Sequence, residues 1–171
     1  MALVRKFLDF TPKMGENCWL AENATIIGNV KMGNDCSVWY NAVIRGDVHE
    51  IVIGNKTNIQ DGCMIHCTYQ RSGTYIGNEV TVGHHAILHA CKVGNNALVG
   101  MGAIVLDNAE VGEGAIVAAG SVVKENTKIP PYTLWAGVPA KQVKELDKEK
   151  TQKALKDQAK NYIFCASMYE K

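Results

Sequence analysis

The sequence has few aromatic residues and almost no net charge, and each of these features excludes some classes of protein. Aromatic residues make up 7% of the 171 residues although 47% are hydrophobic, so aromatic rings cannot be the main core material. The 18 lysines and arginines nearly cancel the 17 aspartates and glutamates, which leaves a net charge of +1. A near-neutral chain has no strong attraction to nucleic acid or to an anionic membrane. We therefore expect neither as a main partner.

Long apolar runs and a signal-peptide pattern are missing as well. No apolar run approaches the roughly 20 residues that a membrane span needs. The apolar stretch at the N-terminus is short and is interrupted by Arg5, Lys6 and Asp9, which is not typical of a secretory signal. The six cysteines form no CxxC pair, and all but Cys165 lie in apolar, strand-like segments. These features predict reduced, mostly buried thiols and a cytoplasmic location.

Aliphatic residues recur at intervals of six along most of the chain, and we call this series the ladder. Its members are Leu20, Ile26, Met32, Val38, Ile44, Ile53, Ile59, Ile65, Ile76, Val82, Leu88, Val93, Val99, Val105, Val111, Val117 and Val123. A period of six differs from the helical period of 3.6 but is a multiple of the strand period of two. Turn-forming glycine, asparagine or aspartate follows many of these positions. The pattern is the hexapeptide signature of a parallel β-helix.

In a parallel β-helix of this kind, three hexads form one triangular coil, and successive coils lie about 4.8 Å apart. We therefore predict an all-β solenoid over residues 1–128, with the ladder filling its narrow interior. The period is broken between Ile44 and Ile53 and again between Ile65 and Ile76. Insertions in a solenoid form loops on one face, often the binding face. Both breaks lie upstream of a segment rich in histidine.

The repeat ends after Val123, and residues 129–171 are predicted to pack on the solenoid. Residues 129–141, "IPPYTLWAGVPAK", form a connector interrupted by proline. From Gln142 to Lys171 we expect a C-terminal α-helix that covers an open end or flank of the β-helix. The apolar side of this helix would consist of Leu155, Ala159, Tyr162, Ala166 and Tyr169.

Three of the five histidines, His84, His85 and His89, fall in residues 80–91, "VTVGHHAILHAC". His66 and His89 each directly follow a ladder residue, and the hexad count places them one coil apart. We expect their imidazoles to stack about 5 Å apart. Two such rings can converge on one metal ion, to which a zinc–nitrogen bond measures about 2.0–2.1 Å.

His84 lies two positions after a ladder residue, on another face of the coil. It cannot easily reach that ion within one chain, but it could reach the ion of a neighbouring subunit in a threefold assembly of prisms. Three histidines with a fourth position left for water are typical of catalytic zinc. Alternatively, histidines at the turns of a solenoid are simply exposed, and we predict no partner for His49 or His85.

Five segments together resemble the γ-class carbonic anhydrases. They are "VIRGDV" at 43–48, "IGNKTNIQDGCMIH" at 53–66, "VTVGHHAILHAC" at 80–91, "VGMGAIVLDNAEVG" at 99–112 and "AGVPAK" at 136–141. The resemblance covers roughly residues 10–145, although the hexads and "GVPAK" are shared with hexapeptide-repeat acyltransferases. It implies a left-handed β-helix that assembles as a homotrimer, with a metal ion at each subunit interface. Zn2+ is the expected metal, and Fe2+ or Co2+ serves in some members.

The resemblance also implies roles for individual residues. His66 and His89 would bind the metal from one subunit, and His84 from the next. Gln60 would hydrogen-bond the water that the metal activates, and Asn58 would orient Gln60. The implied reaction is the reversible hydration of carbon dioxide to bicarbonate.

Four further positions match the family's pattern. Arg45 and Asp61 would form an ion pair across the interface, with Asp47 beside them. Alternatively, these three charged residues only hold the trimer together. Tyr162, in "NY" at 161–162, resembles a tyrosine that lines the pocket in many relatives, and it is equally compatible with a core position on the helix.

The sequence departs from the best-studied form of the family at its proton shuttle. Val48 stands where that form has a glutamate, and residues 67–75, "CTYQRSGTY", contain no carboxylate. His49 or Glu50 would have to substitute. Three alternatives therefore stay open: a hexapeptide-repeat acyltransferase with a histidine as general base, an acyl-CoA thioesterase, and an inactive trimeric homologue.

Overall fold

The computed structural model describes residues 1–170, which form a left-handed parallel β-helix followed by one α-helix. The strands are β1 Leu3–Arg5, β2 Lys13–Met14, β3 Trp19–Leu20, β4 Thr25–Met32, β5 Ser37–Val38, β6 Val43–Ile53, β7 Asn58–Ile59, β8 Met64–His66, β9 Thr74–Ile76, β10 Thr81–Val82, β11 Ile87–His89, β12 Lys92–Val93, β13 Leu98–Val99, β14 Ile104–Val105, β15 Glu110–Val111, β16 Ile116–Val117, β17 Val122–Val123, β18 Lys128–Ile129, β19 Thr133–Gly137 and β20 Ala140–Glu145. Helix α1 spans Lys148–Ser167, and a short 3-10 helix, Met168–Glu170, follows it.

The ladder fills the interior of the solenoid, as the period of six predicts. Every ladder residue from Ile26 to Val123 is buried, whereas Leu20, in the first coil, is half-buried. The strands are mostly two or three residues long, since each hexad supplies only a short extended segment before the next turn. Because strand side chains alternate between the two sides, the neighbours of each ladder residue point outward. The outward positions therefore give each face of the prism its chemistry.

Three faces follow from the strand pairing. The histidine face consists of the first half of β6 with β8, β11, β14 and β17, and the third face consists of the second half of β6 with β9, β12, β15 and β18. The helix face consists of β3, β5, β7, β10, β13, β16 and β19. Strand β6 belongs to two faces because the extra residues after Ile44 extend it around a corner. Its pairing with β4 shifts register between Gly28 and Val30.

Asparagine side chains stack at one corner of successive coils and satisfy the turns. The Asn55 carboxamide oxygen accepts from the Asn34 amide N–H at 2.8 Å, and Asn78 accepts from that of Asn55 at 2.8 Å. Asn95 continues the series by accepting from the Asn78 amide. Each turn then places the following residue at positive φ, as at Asp35, Lys56, Glu79 and Asn96. The small polar residues after the ladder positions are thus turn residues.

Helix α1 packs on the helix face through the apolar positions Leu155, Ala159 and Ala166, which are buried. Its first turn is capped by Asp147, whose carboxylate accepts the Lys150 amide N–H at 2.9 Å. Tyr162 of α1 meets Trp39 of the helix face edge-on, with ring centroids 5.5 Å apart. Aromatic rings thus supply part of the packing surface between the helix and the outside of the solenoid.

The C-terminal segment differs from the expectation in one respect. The helix begins at Lys148 and not at Gln142, because residues 140–145 form β20, which pairs antiparallel with β19. The predicted connector contains β19, which extends the helix face as a parallel neighbour of β16. Residues 142–145, which the apolar pattern assigned to the helix, are thus held in a strand by hydrogen bonds to β19. Lys171, the predicted last helical residue, lies outside the described residues, and no helix within residues 1–170 is long and apolar enough to cross a membrane.

Candidate metal centre

The histidine face brings two imidazoles together. His66 ends β8 and His89 ends β11, and the two lie opposite each other in register, as the hexad spacing predicts. Their ring centroids are 5.3 Å apart. Nδ1 of His66 lies 3.2 Å from Nε2 of His89, so each ring directs one nitrogen at the other.

Carboxylates hold the outer nitrogens of both rings. Nε2 of His66 lies 3.1 Å from an oxygen of Asp47, and Nδ1 of His89 lies 2.6 Å from an oxygen of Asp107. An ionised carboxylate only accepts hydrogen bonds, and a neutral imidazole carries a single N–H. The N–H of each ring therefore faces its carboxylate, and both inward nitrogens present lone pairs.

The lone pairs of two nitrogens that are 3.2 Å apart repel each other unless a cation or a shared proton lies between the nitrogens. Two nitrogens bound to one tetrahedral zinc ion at 2.0–2.1 Å would be about 3.3 Å apart. The observed distance between Nδ1 of His66 and Nε2 of His89 therefore fits a shared metal ion. Carboxylates behind ligand histidines are the usual supporting contacts in such sites.

The charge state of these groups is consistent with metal binding. Burial lowers the pKa of His66, which favours the neutral imidazole that a metal requires. Burial opposes ionisation of Asp47, but hydrogen bonds from Arg45 and His66 outweigh it and lower the Asp47 pKa. The guanidinium of Arg45 lies 2.7 Å from the second Asp47 oxygen. Asp107 follows the same logic: hydrogen bonds from Thr68 and His89 overcome burial and lower its pKa.

His84 lies at a turn after β10, and its side chain is 38% exposed. Its Nδ1 lies 2.8 Å from a carboxylate oxygen of Asp61, which leaves Nε2 without a partner in the described residues. The His84 backbone N–H donates to the side-chain oxygen of Gln60 at 3.2 Å. His84 is therefore oriented on both its backbone and its ring.

A chain of buried amides orients Gln60. Its Nε2 donates to Oδ1 of Asn58 at 3.0 Å, and Nδ2 of Asn58 donates to the Thr81 hydroxyl at 2.9 Å. Asn58 and Gln60 are 1% and 3% exposed, so these hydrogen bonds compensate for the loss of water. Because each amide has a defined donor and acceptor side, the conformation of Gln60 is fixed.

Tyr162 closes this region from the helix side. It borders a cavity of about 260 Å³ together with Gln60, Leu98, Met101 and Ile116. Burial raises the pKa of the Tyr162 phenol, so the hydroxyl is neutral at physiological pH. The cavity is mostly apolar, and Gln60 is among the few polar side chains that line it.

The predicted site residues thus form two separate groups on one chain. No three histidine, cysteine, aspartate or glutamate side chains among residues 1–170 are placed to hold one metal ion. In the single chain Arg45 pairs with Asp47, and Asp61 pairs with His84. A pairing of Arg45 with Asp61 across a subunit interface stays a prediction.

The two remaining histidines, for which no partner was predicted, have local packing contacts. His49 accepts the backbone N–H of Glu50 at 2.9 Å through Nδ1. His85 is exposed and packs over Gly62, where an added Cβ would come within 2.3 Å of its ring. The Glu50 carboxylate, considered above as a substitute proton shuttle, contacts the Tyr75 hydroxyl at 3.1 Å and Lys31 at 3.7 Å.

Sequence reasoning missed Asp107 and Thr68. Asp107 contacts His89 with one oxygen and the Thr68 hydroxyl with the other. A signal was available, because Asp107 follows His89 by 18 residues and so comes one position after Leu106, which lies opposite His89 in the next coil. It lacked a motif that would have distinguished it from the other turn aspartates.

Comparisons with known proteins agree with this architecture. The pattern of the family "Bacterial transferase hexapeptide (six repeats)" matches residues 11–46 and 90–125. A hexapeptide transferase family protein from Anaplasma phagocytophilum has a crystal structure that superposes with a TM-score of 0.92 at 41% identity, over 98% of each chain.

Two curated relatives carry carbonic anhydrase names. A probable carbonic anhydrase from Methanocaldococcus jannaschii is 50% identical over 92% of this chain and 98% of its own. Gamma carbonic anhydrase 2, mitochondrial, from Arabidopsis thaliana is 43% identical over 94% of this chain and 59% of its own. With this identity over nearly its whole length, the chain belongs to the γ-class carbonic anhydrase family.

Proposed function

We propose that this protein is a metal-dependent γ-type carbonic anhydrase that interconverts carbon dioxide and bicarbonate. The metal, Zn2+ with Fe2+ or Co2+ as substitutes, is held by His66 and His89 of one subunit and by His84 of the next in a homotrimer. The observation that carries the proposal is the pair of inward ring nitrogens, 3.2 Å apart, on two histidines whose outer nitrogens face carboxylates.

The outward residues of the histidine face support an assembly. Successive strands place an apolar side chain at the same outward position, and the register aligns Val43, Met64, Ile87, Ile104 and Val122 in one stripe. We call this series the apolar stripe. Ile87 is 36% exposed in the single chain. A continuous apolar stripe beside a two-histidine half-site suits a second copy of this chain, which would supply His84.

The chain's own residues would bind and orient the reactants. When bound, the metal ion acts as a Lewis acid that makes water a nucleophile near neutral pH. Asp47 and Asp61 hold the rings of His66 and His84. Gln60 keeps one amide hydrogen and one lone pair beyond its contacts with Asn58 and His84, and these are available to a water or to bicarbonate. The apolar cavity beside Tyr162 suits the uncharged carbon dioxide.

The test combines metal content with turnover. Wild-type protein loaded anaerobically with zinc, cobalt or iron should contain one metal ion per subunit and hydrate carbon dioxide in stopped flow. His84→Ala should lose the metal and the turnover while keeping its circular dichroism and its assembly state. His85→Asn is the matched control, because the adjacent His85 is exposed and has a positive φ that asparagine tolerates. Normal metal content in His84→Ala would contradict the shared site.

A thioesterase that acts on acyl-CoA is the second candidate. The cavity of about 260 Å³ next to Gln60 exceeds what carbon dioxide requires, and its apolar lining suits a short acyl chain. One metal ion per subunit without carbon dioxide hydration, but with release of free coenzyme A from acetyl-CoA or butyryl-CoA, would favour this function. Transfer of the acyl group to an amine would favour an acyltransferase. A metal-free, intact trimer without either activity would favour an inactive homologue.

A further inference from the structure

We infer that Asp107 is a positioning residue for His89. Asp107 selects the His89 tautomer that can bind a metal, and it also ties the 67–73 loop to the site. This inference rests on the proposed function, because it concerns the same metal centre. Asp107 lies in the turn after β14, one coil beyond His89, and its side chain is 25% exposed. One carboxylate oxygen lies 2.6 Å from Nδ1 of His89, and the other accepts the Thr68 hydroxyl.

Two tautomers of His89 have different consequences at the metal centre. With the proton on Nδ1, the N–H faces Asp107 and the Nε2 lone pair faces His66. With the proton on Nε2, the N–H would face the lone pair on Nδ1 of His66 at 3.2 Å, which is a normal hydrogen-bond distance. The two histidines would then be hydrogen-bonded to each other, and a metal would have to displace the proton on Nε2 of His89.

Asp107 is therefore the group that keeps the histidine pair open. Its carboxylate cannot donate a hydrogen bond, so only the Nδ1–H tautomer of His89 satisfies it. Asp47 makes the same choice at His66 through Nε2. Supporting carboxylates of this kind typically contribute a factor of about 10–100 in metal affinity.

The second oxygen of Asp107 extends this effect to the loop. Thr68 lies at the start of the loop, and its backbone N–H donates to the Ser72 carbonyl at 3.0 Å, which closes the loop on itself. The 67–73 segment has no carboxylate of its own. Asp107 therefore supplies, from the next coil, the negative charge that anchors the loop beside His66 and His89.

The decisive measurement is the tautomer of His89 in metal-free protein, read from two-bond nitrogen–proton couplings of 15N-labelled histidine at about pH 8.5, where imidazoles are neutral. Wild type should carry the proton on Nδ1. Asp107→Ala should shift it toward Nε2 and raise the zinc dissociation constant, measured by chelator competition, by about 10–100-fold. Asp107→Asn, which preserves volume, should change both quantities in the same direction but less, and it guards against misfolding of the alanine variant.

Two controls isolate the role of Asp107. Thr68→Val removes the loop contact but keeps the His89 contact, so its tautomer should equal that of wild type. Asp35→Asn removes a turn carboxylate whose side-chain contact is with Asn17, and it should change neither readout. An unchanged tautomer in both Asp107 variants, or zinc dissociation constants within twofold of wild type, would overturn the inference. A wild-type protein that binds no metal would overturn the proposed function, whereas the His89 tautomer, which is read without metal, would still decide whether Asp107 positions His89.

Discussion

Replacing Ile87 by glutamate tests whether the apolar stripe is an interface between copies of this chain. Ile87 is the outward neighbour of the buried ladder residue Leu88, and it precedes His89 by two positions on the same face. Its neighbours in the stripe, Met64 and Ile104, lie directly opposite it in the flanking coils. A carboxylate at this position remains hydrated in a monomer but is buried among apolar groups in the proposed trimer.

The expected magnitude follows from the exposure of Ile87. Ile87 is 36% exposed in the single chain, so covering this exposed area is worth about 1 kcal/mol at each interface. A glutamate buried there without a partner adds a penalty of roughly 2 kcal/mol or more, even if it is protonated. A cyclic trimer contains three such interfaces, which brings the cost to about 9 kcal/mol per trimer. The trimer association constant should therefore fall by about six orders of magnitude.

Sedimentation equilibrium over a wide range of protein concentration measures this constant. Ile87→Glu should sediment as a monomer at micromolar concentration with wild-type circular dichroism, and it should lose tight metal binding. Val52→Glu is the matched control, because Val52 is an outward, partly buried residue of β6 on the third face, beside Lys31. If Ile87→Glu assembles as tightly as Val52→Glu, the apolar stripe is not the interface.

Two further predictions concern stability. Leu88→Ala removes a fully buried ladder residue and should lower the free energy of unfolding by about 3–5 kcal/mol in urea titrations. The control Leu106→Ala, at a partly exposed position on the same face, should lower it by less than about 1.5 kcal/mol. Equal losses in the two variants would contradict the ladder's role in the core. Acidification should destabilise metal-free protein in two pH windows. The folded-state pKa of His66 is below its ordinary value of 6.5, so the unfolded state binds more protons and stability falls as the pH drops below about 6.5. The pKa values of Asp47 and Asp107 lie below 3.8, so their stabilising contribution is present above that pH and is lost as the pH falls further. A free energy of unfolding that stays constant from pH 8 to pH 5 would refute the assignment of the first window to His66.

The solenoid could be predicted in detail because its repeat is a direct record of side-chain direction. A period of six fixes which residues are buried, and the structure buries the ladder from Ile26 to Val123. The C-terminal segment was harder to predict because its order depends on a partner strand. Residues 140–145 have no strong strand pattern, and they are extended because β19 offers them hydrogen-bonding groups. Such tertiary pairing overrides local preference.

The grouping of the candidate site residues was predictable where they recur with the coil and was missed where only distance reveals it. His66 and His89 share a register position, so counting hexads was sufficient to pair them. The contact of Asp107 with His89 also spans one coil, but Asp107 lies in a turn. Turn residues do not follow the alternation of strands, and an aspartate at a turn is ordinarily explained by turn chemistry alone.

The coil geometry is a reason to propose a metal centre that is divided between subunits. Residues at one register position of successive coils are about 4.8 Å apart, so two stacked histidines can share an ion. A third ligand from the same stack would lie roughly 10 Å from the first, which is too far for one tetrahedral ion. The stack in fact continues with Arg45 on one side and Leu106 on the other, and neither is a ligand. A histidine on another face of the same prism, such as His84, is not placed to bind the ion together with that pair. Assembly of identical prisms is then the simplest way to complete the coordination, and in the proposed trimer metal affinity would depend on protein concentration wherever the subunits dissociate.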